Sequence, residues 1–144
     1  MLAVLVPGTM LLAFTVIVHS AGMVGLLRWI RRVHTLIGSS FWRQTWLLMR
    51  FAWALIAIHL VEIGVWALFY WVRGCLPDLE SAVYFSGVTY TTLGYGDLVL
   101  PARFRLFGPI EGLTGILMCG LSTGFFFAVL SKLYTTLKEA EAKG

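Results

Sequence analysis

Charge is what this 144-residue chain has least of: Asp, Glu, Lys and Arg make up 12% of it, and only 7 of these residues are acidic. Soluble domains carry roughly a quarter charged residues, so the chain cannot clothe a water-soluble fold. With 59% hydrophobic residues and a mean hydropathy of +0.85 it reads as an integral membrane protein. The length allows about three spans of ~20 residues and leaves little beyond them. A nucleotide fold, a ligand sensor or an enzyme domain therefore has no room, and neither catalysis nor a cofactor is expected. Cysteine is scarce as well: Cys75 and Cys119 form neither a disulfide framework nor a metal-binding spacing. Acidic residues are too few to offset the basic ones, and the net charge is +4. The basic residues sit beside apolar runs, where membrane topology explains them and a nucleic-acid partner does not. No internal repeat is visible.

Along the chain, residues 2–27 form a first apolar segment whose one basic residue is His19, and it ends in Arg28, Arg31 and Arg32. It lacks the charged n-region and the small-residue cleavage site of a signal peptide, so an N-terminal transmembrane helix is expected. Residues 28–45 read as a basic connection on the cytoplasmic side, with Arg43 inside it and Arg50 just beyond. The second span covers 46–72. Within it His59 and Glu62 stand three residues apart, on one helical face. Ionisable residues inside a span mark function by default, and this pair is a candidate pH sensor; mutual pairing as structural glue is the alternative.

Residues 79–91 are too short to cross a bilayer, and Asp78 and Glu80 suit a helix N-terminus there. A short re-entrant helix is expected, delivering the chain to Thr91-Thr92-Leu93-Gly94-Tyr95-Gly96-Asp97. Glycines at 94 and 96 permit left-handed backbone at alternate positions, so that successive carbonyls can point one way. Copies arranged around an axis would stack rings of oxygen that replace a cation's water shell, with the Thr92 hydroxyl at one mouth. A third span, 104–134, follows, with glycines at 108, 112, 115, 120 and 124, and then a tail, 135–144. The charge pattern places the N-terminus outside and the C-terminus in the cytoplasm.

Thr91 to Asp97 resembles the selectivity filter of potassium channels, and outer helix, pore helix, filter and inner helix over residues 46–134 resemble that family's pore module. The inner helix, with Glu111, Gly115 and Ser122-Thr123-Gly124, is similar to the bacterial inward-rectifier type. The resemblance implies an all-α membrane protein with three transmembrane helices per subunit, a re-entrant pore helix and an extended filter, assembled as a homotetramer in a lipid bilayer. It implies K⁺ as the permeant ion, coordinated along Thr92, Leu93, Gly94, Tyr95 and Gly96, with Asp97 bracing the filter. Glu111 is a candidate support, or meets a hydroxyl or helix end. Gly120 falls at a hinge position and Phe127 at a position that narrows the cytoplasmic mouth. Leu93 replaces the family's usual valine, and Val88 stands where many members carry glutamate. A bacterial inner membrane is the expected location. Two other readings stay open: a weakly selective monovalent cation channel, and a non-conducting scaffold or regulatory subunit.

Overall fold

The computed structural model describes residues 2–33 and 41–141, and these form four helices: α1 (Leu2–Val33), α2 (Phe41–Val72), α3 (Leu79–Tyr90) and α4 (Phe107–Glu141). No strand occurs among the described residues. Helices α1, α2 and α4 are long and apolar enough to cross a membrane, and α3 is not. The fold is that of an all-α integral membrane protein with three spans, a short inserted helix and an irregular segment after it.

The helices overrun the expected spans. α1 continues beyond residue 27 to Val33 and α2 begins at Phe41, so Arg28, Arg31, Arg32 and Arg43 of the basic connection over 28–45 lie on helices. Residues 34–40 of that connection, and 142–144 of the expected tail, lie outside the described residues. α4 starts at Phe107, three residues late, and runs on to Glu141. A helix satisfies its own backbone, so nothing halts it at the hydrocarbon boundary. The 32 residues of α1 extend about 48 Å, well beyond a ~30 Å core. Pro7 is likewise inside α1, past the first turn where its missing N–H would cost little.

Local chemistry sets the ends that matter. The Asp78 carboxylate accepts the Ser81 N–H at 2.7 Å and so caps the start of α3. α2 closes in a Schellman motif: the Gly74 N–H reaches the Trp71 carbonyl, the Cys75 N–H reaches the Tyr70 carbonyl at 2.8 Å, and Gly74 adopts φ 60°. Six residues are enough to reverse the chain from α2 into α3.

α1 lies against α2 and α4, and α3 is wedged between α2 and α4. Two apolar clusters result. One, near the α2–α3 loop, contains Trp66, Tyr70, Leu76, Ala82 and Phe107; the other, at the opposite end, gathers Leu26, Phe51 and Leu55 with Phe125 and Phe126 around them. Polar side chains, Thr15, His19, Glu62 and Ser122, are buried between the clusters. The Trp66 indole N–H donates to the Thr15 hydroxyl at 3.1 Å across the α1–α2 contact.

The closest approach is between α4 and the C-terminal end of α3. A Cβ at Gly115 would lie 1.9 Å from the Tyr90 carbonyl oxygen, whereas one at Gly120 would meet open space within the chain. The contact is backbone against backbone, so no side chain can turn aside to relieve it. Gly115→Ala is expected to destabilise the fold by about 1–3 kcal/mol, and Gly120→Ala to be neutral or slightly stabilising through helix propensity. Thermal unfolding of the two variants in detergent measures the difference.

Candidate functional site

The irregular segment begins where α3 ends, and the end is built like that of α2. The Thr92 N–H donates to the Thr89 carbonyl at 3.0 Å and the Leu93 N–H to the Val88 carbonyl at 2.9 Å, the bond pattern of a second Schellman motif. Its left-handed position, usually glycine, is occupied by Thr92 at φ 61°. Left-handed backbone is costly for a β-branched residue, and such strain gathers at functional sites. Gly94 follows at φ 55° and Gly96 at φ 79°, with negative φ at Leu93 and Tyr95 between them. The backbone therefore alternates in hand from Thr92 to Gly96. The two glycines are the positions read from the sequence; Thr92 is one more.

The whole of Thr91–Asp97 is exposed in the single chain, with Leu93 at 56% and Tyr95 at 66% of full exposure. An irregular backbone at membrane depth must be covered by protein or line a wet path. One side of it is already tied down. The Tyr84 hydroxyl, on α3, donates to the Asp97 carboxylate at 2.7 Å. That bond holds the Asp97 carboxyl below its ordinary range and pushes the Tyr84 phenol up. Asp97 thus pins the returning chain to α3 through Tyr84, a residue not anticipated in this role.

Glu111, at the start of α4, is fully buried against α2 and α3. Tyr70 donates to its Oε2 at 2.8 Å, and Ser86 Oγ stands 2.5 Å from its Oε1. Ser86 Oγ is also 2.9 Å from the Ile63 carbonyl. One hydroxyl hydrogen faces two acceptors. A neutral Glu111 carboxyl resolves this, with Glu111 donating to Ser86, Ser86 to Ile63 and Tyr70 to Glu111. Glu111 therefore meets hydroxyls, on the side of α3 away from the exposed segment's own Asp97 contact.

His59 and Glu62 come together, but not as an isolated pair. The nearer histidine to Glu62 is His19 of α1, whose Nδ1 lies 2.9 Å from Oε1; His59 Nδ1 lies 3.4 Å from Oε2. His59 Nδ1 is closer to the Tyr90 hydroxyl, at 3.0 Å, and that hydroxyl donates to Glu62. Ser122 Oγ of α4 faces His19 Nε2 at 3.5 Å. The result is a buried network joining all four helices, centred on Glu62 and ending on Tyr90, the last residue of α3. The available signal for His19 was its standing as the one ionisable residue in an apolar segment, which calls for a partner of opposite charge. Gly120 lies two residues before Ser122 on α4 and Phe127 five after it, and Phe127 is 69% exposed.

The profile of a family described as "Ion channel" matches residues 56–132, just over half of the chain. This protein belongs to the ion channel family. The match runs from the middle of α2 through α3 and the alternating segment to the later part of α4, and α1 lies outside it. Neither the curated proteins nor the solved structures include a match to the chain. α1, outside the match, packs on α2 and α4.

Two measurements probe the Tyr84–Asp97 bond and the Glu111 contacts. Tyr84→Phe removes the hydroxyl donor and should move the Asp97 titration upward, back toward its ordinary value, by carboxyl NMR. Because the folded carboxyl is depressed, the stabilisation from this bond is complete above the ordinary carboxylate range and is lost as pH falls through the folded midpoint. Glu111→Gln keeps a donor and an acceptor in place and should retain thermal stability. Glu111→Ala leaves the Tyr70 hydroxyl without its acceptor, while Ser86 keeps the Ile63 carbonyl, and should cost about 1–3 kcal/mol.

Proposed function

We propose that this ion channel is K⁺-selective and conducts passively through a homotetrameric pore. The observation that carries the reading is the alternation of backbone hand over Thr92–Gly96 at the end of a short inserted helix, exposed in the single chain. One such segment cannot surround an ion, while four around an axis supply rings of carbonyl oxygen. The carbonyls of Thr92, Leu93, Gly94 and Tyr95 are the proposed ligands, with the Thr92 hydroxyl at the inner mouth and Gly96 at the outer turn. The exposure of Leu93 and Tyr95 supports the tetramer, since neighbouring subunits would bury them. α3 aims its negative C-terminal end toward the same axis, which favours a cation. Asp97 and Glu111 act as supports. Gly120 provides space for a bend, and Phe127 is the proposed constriction near the cytoplasmic end, closing by dewetting. The arginines at the α1–α2 connection support a cytoplasmic position for it, with the N-terminus outside.

The test is K⁺ flux through the purified protein in liposomes. A reversal potential near that of K⁺ in opposing K⁺ and Na⁺ gradients, with block by Ba²⁺, is expected. A value near zero points to a weakly selective cation channel, and no flux to a scaffold subunit. Gly96→Ala forces a Cβ onto a left-handed position, at a cost of about 1–2 kcal/mol per chain, and should reduce K⁺ flux at least tenfold while leaving a tetrameric mass in native mass spectrometry.

A further inference from the structure

We infer that His19, His59 and Glu62 form a site for a divalent transition-metal ion of the zinc class, bridging α1 and α2. The nearest ligand atoms of the three side chains, His19 Nδ1, His59 Nδ1 and the Glu62 carboxylate oxygens, all lie within 4.8 Å of one another. Two separations are 2.9 and 3.4 Å. Around a tetrahedral zinc ion with ligand bonds of about 2.0–2.1 Å, neighbouring donor atoms stand about 3.3 Å apart, so small side-chain shifts suffice. His59 and Glu62 share one face of α2 because they are three residues apart, and the docking of α1 brings His19 across to them. No other group of His, Cys, Asp and Glu among the described residues converges in this way.

The chemistry of the donors selects the ion. Two imidazoles and one carboxylate suit zinc and its neighbours, whereas Mg²⁺, Ca²⁺ and the proposed permeant K⁺ favour all-oxygen surroundings. The Tyr90 hydroxyl lies beside these ligand atoms, 3.0 Å from His59 Nδ1. A supporting shell is also in place. A metal-bound histidine characteristically donates its other ring N–H to a fixed acceptor, and His19 Nε2 faces Ser122 Oγ at 3.5 Å. With Nδ1 of each ring on the ion, the ring hydrogen sits on Nε2, and His19 then donates to Ser122. Glu62 is fully buried and His19 nearly so, while His59 is 18% exposed and provides the route in.

The binding arm of the test is independent of K⁺ selectivity. Full-length, tag-free protein in detergent is titrated with ZnCl₂ by calorimetry and with CoCl₂ by visible absorption. Expected are one Zn²⁺ per chain, Co²⁺ bands of a low-coordinate nitrogen and oxygen site, and no thiolate charge-transfer band. His19→Gln and His59→Gln should each weaken Zn²⁺ binding more than tenfold, and Ser122→Ala by about tenfold through loss of the outer contact. Cys119→Ser and His34→Gln, which remove the thiol of α4 and the remaining histidine, should bind as the parent does. Absence of saturable Zn²⁺ binding overturns the inference, as does unchanged affinity in His59→Gln and Ser122→Ala, which decide the matter if His19→Gln fails to fold. Loss of binding in Cys119→Ser or His34→Gln overturns it too.

Discussion

A helix that stops inside a membrane leaves its last carbonyls and its onward chain in surroundings that offer no water, so every contact at that end must come from protein. Tyr90, the last residue of α3, bears that constraint. Its hydroxyl donates to Glu62 and touches His59, and its carbonyl occupies the space that a side chain at residue 115 would need. Through Glu62 the same point is tied to His19 on α1 and, through that histidine, to Ser122 on α4. All three spans thus converge on the place where the chain leaves the helix and enters the alternating segment.

Two carboxylates are buried on spanning helices, and both are aimed at the short helix between them. Charged groups in hydrocarbon are costly and face protein when they occur. Glu111 meets this requirement as a neutral carboxyl bonded to Tyr70 and Ser86, and Glu62 with two histidines and a tyrosine. They grip α3 at different heights, Ser86 being one turn before Tyr90. The polar layer that holds Glu62 lies between two apolar clusters, so the three spans are locked in register as well as packed. A slip of α1 by one residue would turn His19 away from Glu62 and leave the carboxylate short of a donor.

Strain is placed where the ion path is proposed to run. The C-terminal cap of α2 uses Gly74 for its left-handed position, and the matching cap of α3 uses Thr92. Threonine is the poorer residue for that backbone, and its presence is sensible only if its hydroxyl or carbonyl is wanted there. The bonds from Thr92 and Leu93 back to Thr89 and Val88 hold the conformation from one side, and the Tyr84–Asp97 bond closes the segment from the other.

Much of this was legible before any fold was known, because a membrane makes simple demands. Composition alone required spans, the length of the 79–91 run excluded a fourth, and Gly94 and Gly96 marked the alternating backbone. The ion channel family match over 56–132 agrees with that outline. The end of α2 and both ends of α3 agree with the sequence to within a residue, whereas the end of α1, the start of α2 and both ends of α4 differ by several, since polar flanks do not interrupt intrahelical hydrogen bonds and arginines ride on the helices. The partners of the buried acids could not be read at all. His19 and Glu62 are 43 residues apart, Tyr70 and Glu111 41 apart, and Tyr84 reaches Asp97 only because the chain doubles back. Periodicity reports which face of a helix is polar but not which helix it meets. By itself the sequence determined the membrane class, the number of spans and the residues able to alternate in hand, all consequences of local backbone chemistry and transfer cost. Only the tertiary structure decided that His59 and Glu62 belong to a larger network, that Gly115 admits the end of α3, and that Thr92 carries left-handed strain, because each depends on which helices touch and how closely.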